Sequence, residues 1–212
     1  MVKKTSQQKL QQAWGRKTLN SMLFPRMPKK QQRRRRLAHH EAGHAVAYAI
    51  CGFEIAYVTI LEETDAAGVC QAKGRQGDGR AWGTWFDPEH VWISLAGIVA
   101  EARFLKCGVF CINPETWDTD WCMARERVAG RLGRQDAEEW EDAEMDAEID
   151  QAFHETRRLI AENWIYVERV ALALLDRDRL DGDEVLCLCD RLSIIEPPAI
   201  LAQKMRQKCT TF

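Results

Sequence analysis

The sequence of 212 residues has no apolar run as long as the roughly 18 residues that a membrane-spanning helix needs. Its longest apolar stretch, residues 91–105, is interrupted by Glu101 and Arg103. The N-terminal segment also lacks the apolar core of a secretory signal peptide. We therefore expect no membrane span and a cytoplasmic location.

Paired cysteines and nucleotide-binding motifs are also missing. The 8 cysteines form no C-x-x-C set of a zinc finger, so in a reducing compartment we expect free, mostly buried thiols. The glycine-rich residues 73–83 fit neither G-x-x-x-x-G-K-[ST] nor G-x-G-x-x-G, and no nucleotide site is predicted there. We interpret them as a flexible loop, either a lid over a site or a plain connector.

Acidic residues are absent from the first 36 positions, which hold 12 of the 30 lysine and arginine residues. The remaining positions carry 18 basic and 32 acidic residues, a net charge of −14. A basic block either binds nucleic acid or another anionic partner, or forms a solvated, partly disordered tail that can fold back on the acidic body. No aromatic residues alternate with the arginines at 33–36, so we favour a tail over 1–36 and a domain over 37–212.

The pentapeptide at residues 40–44 carries the clearest chemical signal. On an α-helix, His40 and His44 lie on one face, one turn apart, so both rings can bind one metal ion. Glu41 would lie beside that ion, where it can accept a proton from water. This is the H-E-x-x-H pattern of zinc peptidases, and the alternative is a chance match. His39 is outside the pattern and is not expected to be a ligand.

The surrounding sequence predicts a mainly α fold with one small β-hairpin beside the metal helix. Flanking alanines favour a helix that ends at Cys51 and Gly52. Gly43 is expected to allow another backbone, such as a crossing strand, to approach closely. Strands are predicted at 54–61 and 69–72. Further helices are predicted at 87–106, from 118–120 to 132, at 152–175 and after a turn at 180–185, with a chain break at 113–114 and a solvated acidic helical segment at 136–150.

A catalytic zinc site needs a third protein ligand and one position open to water. Asp120, in the first turn of its predicted helix, is the first candidate. Asp118 and Glu101 are alternatives that the spacing leaves open. An exposed edge of the predicted hairpin could align an extended peptide beside the site, or the hairpin could be purely structural.

Five ordered blocks resemble the peptidase domain of FtsH-type zinc metalloproteases, the membrane-anchored AAA+ proteases of bacteria and organelles. The similarity covers residues 37–190, in the blocks 39–45, 58–60 with 68–69, 93–97 with 100–102, 120–124 and 180–185. The resemblance implies a mostly helical domain, zinc bound by His40, His44 and Asp120, and Glu41 as the general base.

The resemblance does not extend to the family's ATPase module or membrane helices. We therefore expect a zinc endopeptidase that acts on peptides or unfolded chains without an ATPase of its own, or one that needs a separate ATPase partner. The family assembles as a hexamer, so a homo-oligomer is a further expectation. The alternative is a binding or regulatory protein on a zinc-peptidase scaffold, whose zinc is structural.

Overall fold

The computed structural model describes residues 28–61, 68–75, 88–108, 114–134 and 143–189. Within these ranges the chain forms six helices and one three-stranded antiparallel sheet, which confirms the mainly α fold. No described helix is long and apolar enough to cross a bilayer. The helices are α1 (Lys29–Ile50), α2 (Pro88–Phe104), α3 (Pro114–Arg131), α4 (Ala143–Glu162), α5 (Trp164–Arg177) and α6 (Gly182–Leu188). The strands are β1 (Phe53–Thr59), β2 (Val69–Arg75) and β3 (Arg179–Asp181).

Helix α1 packs against α2, α5 and β1, and most of its residues from Ala38 onwards are buried. It ends at Ile50 with Cys51 as its C-cap, and Gly52 follows with a φ of 75°, a conformation that favours glycine. The predicted end of this helix is therefore confirmed. The helix begins at Lys29, so residues 29–36 of the predicted tail are helical. Residues 1–27 lie outside the described ranges.

Arg34 and Arg36, in the run of arginines at 33–36, contact the body of the domain. Arg34 donates to the carbonyl oxygen of Leu175 at 2.7 Å and pairs with Asp178 at 2.6 Å, which ties α1 to the C-terminal end of α5. Arg36 pairs with Glu101 on α2. These two arginines therefore compensate acidic or polar groups of their own chain, as expected for a basic segment that folds back on the acidic body.

Gly43 allows α1 and α2 to approach closely. A Cβ atom at this position would lie 2.6 Å from the carbonyl oxygen of Ala96 and 2.6 Å from the Cβ of Ala100. The predicted close approach is confirmed, but the neighbour is a helix rather than the expected strand. The reason is that Ala96 and Ala100, one turn apart, give α2 a shallow groove into which the glycine fits.

The sheet has the strand order β2-β1-β3. The hairpin of β1 and β2 was predicted, whereas β3 was read as a turn because it has only three residues and leads directly into α6. Val58 of β1 pairs with Leu180 of β3, and both side chains are fully buried. A Cβ atom on Gly182 would collide with the carbonyl oxygen of Ile55, so α6 begins directly against β1.

Two predicted helix boundaries are wrong, each for a local reason. Helix α3 begins at Pro114 rather than at 118–120. Proline is well tolerated at the first helical position, where no backbone hydrogen bond is lost. The helix predicted at 152–175 is two helices that meet at Asn163, whose side-chain amide donates to the carbonyl oxygen of Leu159 at 2.9 Å. Such a bond offers the backbone an alternative to continuing the helix.

Helices α3 and α4 are joined by ion pairs, so the acidic segment is not only solvated. The exposed pair of Arg134 and Glu144 contributes little to stability, on the order of 0–1 kcal/mol. Arg125 and Arg131 are largely buried, and the set favours one alignment of the two helices. The pairs are Arg125–Asp146 at 3.2 Å, Arg131–Glu148 at 2.5 Å and Arg134–Glu144 at 3.2 Å.

Candidate metal centre

Three buried side chains from two helices meet beside α2. His40 and His44 come from successive turns of α1, and Asp120 comes from α3. Asp120 Oδ2 lies 2.9 Å from His40 Nε2 and 3.2 Å from His44 Nε2, and the two Nε2 atoms are 3.2 Å apart. The three residues that the resemblance implied as ligands are thus together. Among the described residues they form the one His/Cys/Asp/Glu group with donor atoms close enough to share an ion.

Hydrogen bonds behind each ring determine which nitrogen faces Asp120. His44 Nδ1 donates to the carbonyl oxygen of Ile93 at 2.7 Å, and His40 Nδ1 donates to Glu101 Oε2 at 3.3 Å. Nε2 of both rings is therefore left to face the carboxylate. An acceptor behind a ligating histidine is usual at metal sites, because it fixes the tautomer and the ring orientation.

The structure separates the candidates for the third ligand. Glu101 lies behind the ring of His40, with its other oxygen paired to Arg36, and so does not face the Nε2 atoms. The side chain of Asp118 lies outside the described part of the chain. Asp120 is in the second turn of α3, not the first, because that helix begins at Pro114. The helix dipole acts mainly within the first turn and does not account for this carboxylate.

Gly97 on α2 leaves space in front of the two imidazoles. A Cβ atom at this position would lie 2.6 Å from His40 Nε2 and still closer to His44 Nε2. A larger residue would therefore fill the space that the donor nitrogens face. Two imidazole nitrogens and a carboxylate oxygen around such a space fit a divalent transition-metal ion. The group of His40, His44 and Asp120 could bind a metal ion.

Attraction among the three groups shifts their pKa values. Burial alone would lower the pKa of His40, but hydrogen bonds to Asp120 and Glu101 hold that pKa well above its usual range. Burial also acts to lower the pKa of His44, and Asp120 again outweighs it, so the pKa is raised. For Asp120, burial would raise the pKa, but His44 and His40 lower it. Metal binding at these atoms would displace protons from the histidines while Asp120 stays ionised.

Glu41 lies beside the three donors and is 5% exposed. Burial raises its pKa above the ordinary value of 4.5, while the nearby His40 and His44 partly oppose this. Gly68, directly before β2, lies close to this side chain, since a Cβ atom at that position would be 2.7 Å from Glu41 Oε1. A buried carboxylate with a raised pKa is suited to proton transfer near neutral pH.

His39 is separate from the metal group, as expected. Its ring stacks on Phe104 with 3.9 Å between the ring centroids, and its Nδ1 donates to the carbonyl oxygen of Arg35 at 2.7 Å. Burial lowers the pKa of His39, which favours the neutral ring that this apolar contact requires. Its role is packing between α1 and the end of α2.

Two residues that shape this centre were missed from the sequence, Gly97 and Arg36. Gly97 interrupts an apolar helical run where alanine would be more stable, and such a glycine usually has a packing reason. Arg36 was assigned to the tail, although it lies four residues before His40 and so on the same helix face. Both signals are present in the sequence, but neither identifies a partner on another helix.

No family model matches the sequence, and no curated protein matches it significantly. The resemblance to FtsH-type peptidases stays a prediction that rests on the five sequence blocks. A mainly helical fold with a small sheet, and the meeting of His40, His44 and Asp120, agree with what that resemblance implied. Agreement of this kind does not establish the family or its activity, so function is inferred from the site.

Proposed function

We propose that the protein is a zinc-dependent endopeptidase that hydrolyses peptides or unfolded polypeptides. The observation that carries this proposal is the convergence of His40, His44 and Asp120 on one point, with the buried carboxylate of Glu41 next to it. Two nitrogens and one oxygen suit a catalytic zinc ion, which takes three protein ligands and keeps a fourth position open.

The residues of the chain divide the chemistry among them. When bound, zinc supplies a Lewis acid that polarises the scissile carbonyl and lowers the pKa of water to about 7. Glu41 accepts the proton of the attacking water and then donates it to the leaving amine. Its burial beside the three donors places this carboxylate where it can exchange that proton. The acceptors behind His40 and His44 keep both rings in place.

Strand β2 offers a position for an extended substrate. It pairs with β1 on one side and is an edge strand of the sheet among the described residues. Gly68, directly before this strand, contacts Glu41. A peptide added to this edge would run past the catalytic carboxylate and be held by its backbone. Such recognition favours unfolded chains, which a separate ATPase partner would supply where the substrate is folded. A homo-oligomer and a cytoplasmic location stay predictions, and nucleic-acid binding by the basic segment stays the disfavoured alternative to a tail.

The test is cleavage of a fluorescently labelled, reduced and alkylated protein by the zinc-loaded chain. We expect Glu41→Gln to lose activity by about 100-fold or more, with about one zinc per chain retained. Glu54→Gln is the matched control, since Glu54 is exposed on β1 and should leave activity unchanged. Equal cleavage by wild type and Glu41→Gln would refute the assigned mechanism.

The alternative is a binding or regulatory protein with a structural zinc ion. The observation that favours it is the burial of all three ligands, which are 5%, 9% and 8% exposed. The same assay separates the two proposals. The enzyme proposal fails if three results are found together: neither wild type nor Glu41→Gln cleaves the substrate, both bind zinc, and chelation of the zinc unfolds the chain. The ion would then be structural.

A further inference from the structure

Arg36 and His40 hold the same carboxylate from successive turns of α1. Arg36 Nε and Nη2 lie 2.7 Å and 2.5 Å from Glu101 Oε1. His40 Nδ1 lies 3.3 Å from the other oxygen, Oε2. Each oxygen of Glu101 therefore has its own cationic or N–H partner, and the orientation of the carboxylate is fixed between the two side chains.

This contact lies in the interior of the domain. The side chain of Glu101 is 2% exposed and that of Arg36 is 16% exposed. Removing one partner of a buried ion pair leaves the other charge without compensation, which is strongly unfavourable. If Arg36 were absent, we would expect Glu101 to turn towards water and away from His40.

We propose that Arg36 is a positioning residue for the metal centre, acting through Glu101 on the ring of His40. Arg36 holds Glu101 against α1, and Glu101 in turn holds His40 with Nε2 towards Asp120. The ring of His44 needs no such support, because its acceptor is the backbone carbonyl of Ile93. The inference rests on the proposed function in one respect only, that the three ligands bind zinc.

Arg34 provides a matched control in the same run of arginines. It carries the same charge and makes contacts of similar length, at 2.6 Å to Asp178 and 2.7 Å to the carbonyl oxygen of Leu175. These contacts tie α1 to α5 and touch neither Glu101 nor His40. If loss of positive charge or of helix contacts alone weakened zinc binding, the Arg34 and Arg36 variants would therefore be affected equally.

The experiment measures zinc affinity by competition with a chromogenic chelator, and the visible spectrum of the Co²⁺-loaded full chain. We expect Arg36→Gln to weaken zinc binding about 10-fold and Glu101→Gln by about 10- to 100-fold, the range for groups that orient a ligand. Arg34→Gln should stay within about 2-fold of wild type. The Co²⁺ bands should change in Arg36→Gln and not in Arg34→Gln, because the spectrum responds to ligand geometry.

The double variant Arg36→Gln/Glu101→Gln tests the route of the effect. If Arg36 acts through Glu101, the double variant binds zinc within about 2-fold of Glu101→Gln alone. A further 10-fold loss in the double variant would overturn the proposal. So would an Arg36→Gln protein that matches Arg34→Gln in both affinity and spectrum.

Two further outcomes keep the test decisive. If Arg36→Gln does not fold, Arg36→Lys is measured, since one ammonium group cannot reproduce the two contacts of the guanidinium. An affinity loss of about 3-fold or more with altered Co²⁺ bands supports the proposal, and wild-type values overturn it. If wild type itself binds no zinc, the proposed function fails as well. If wild type binds zinc and the two arginine variants agree, only the positioning role fails.

Discussion

Replacing Gly97 with alanine should weaken zinc binding by more than about 100-fold while the fold is retained. Alanine is more stable than glycine in a helix interior by roughly 1 kcal/mol, so α2 itself would gain from the change. The added methyl carbon would, however, lie 2.6 Å from His40 Nε2 and closer still to His44 Nε2. Both contacts are repulsive, and they fall on the two nitrogens that face Asp120.

The expected loss of zinc affinity depends on which imidazole ring the added methyl group displaces. Each ring is held from behind, His40 by Glu101 and His44 by the carbonyl oxygen of Ile93. Turning a ring away breaks that hydrogen bond, at a cost of about 1–3 kcal/mol, and also removes one of three ligands. A combined penalty of about 3 kcal/mol corresponds to a zinc Kd more than about 100-fold larger. The free energy of unfolding of the chelated protein should change by less than about 2 kcal/mol, because the helix gain offsets the strain.

Calorimetric titration with zinc, together with far-ultraviolet circular dichroism, measures both quantities. Gly108→Ala is the matched control, because among the described residues, its chain neighbours aside, no heavy atom lies within 4 Å of the position of its added carbon. It should bind zinc like wild type. If Gly97→Ala folds normally and binds zinc within about 3-fold of wild type, the ion does not occupy the space in front of the imidazoles. The assignment of the metal centre would then be refuted.

Two further predictions concern stability. In chelated protein, the raised pKa values of His40 and His44 give stability that is fully present below the ordinary value of 6.5 and is lost as the pH rises through the raised values. The Tm of chelated protein should therefore fall as the pH increases above 6.5. The increase in Tm that zinc causes should become larger over the same pH range. A Tm of chelated protein that rises with pH would contradict this prediction. Gly43→Ala should lower the free energy of unfolding by about 1–3 kcal/mol in urea titrations, because its methyl group meets the α2 backbone rather than a movable side chain. A urea midpoint equal to that of Gly108→Ala would exclude the close helix contact.

The histidine pair was predictable because helix geometry alone brings together residues four positions apart. The third ligand was not, since Asp118, Asp120 and Glu101 lie on helices whose placement against α1 depends on packing. The structure sets Glu101 and Asp120 on opposite sides of one imidazole ring. Sequence periodicity predicts which residues share one face of a helix. It does not predict which side of an imidazole ring on another helix those residues contact. The resemblance supplied the choice of Asp120 that spacing could not.

The remaining differences also arise from contacts between distant parts of the chain. Strand β3 has three residues, too few for a period-two pattern, and it exists because Leu180 pairs with Val58 of β1. Arg36 belongs to a segment whose composition indicates a tail, yet its own partner, Glu101, is buried on another helix. Composition averages over a segment and so cannot identify which arginine pairs with a buried carboxylate on another helix.

The donors of the metal centre are unevenly spread along the chain. His40 and His44 are brought together by a single helix, whereas Asp120 lies 76 positions beyond His44. Closing a loop of that length costs roughly 4 kcal/mol of chain entropy, which only the packing of the complete domain repays. A chain interrupted or cleaved before α3 would still display the whole H-E-x-x-H pattern while offering two ligands instead of three. Tight binding of a metal ion would therefore indicate that the tertiary structure is complete. The presence of the H-E-x-x-H motif alone does not indicate this.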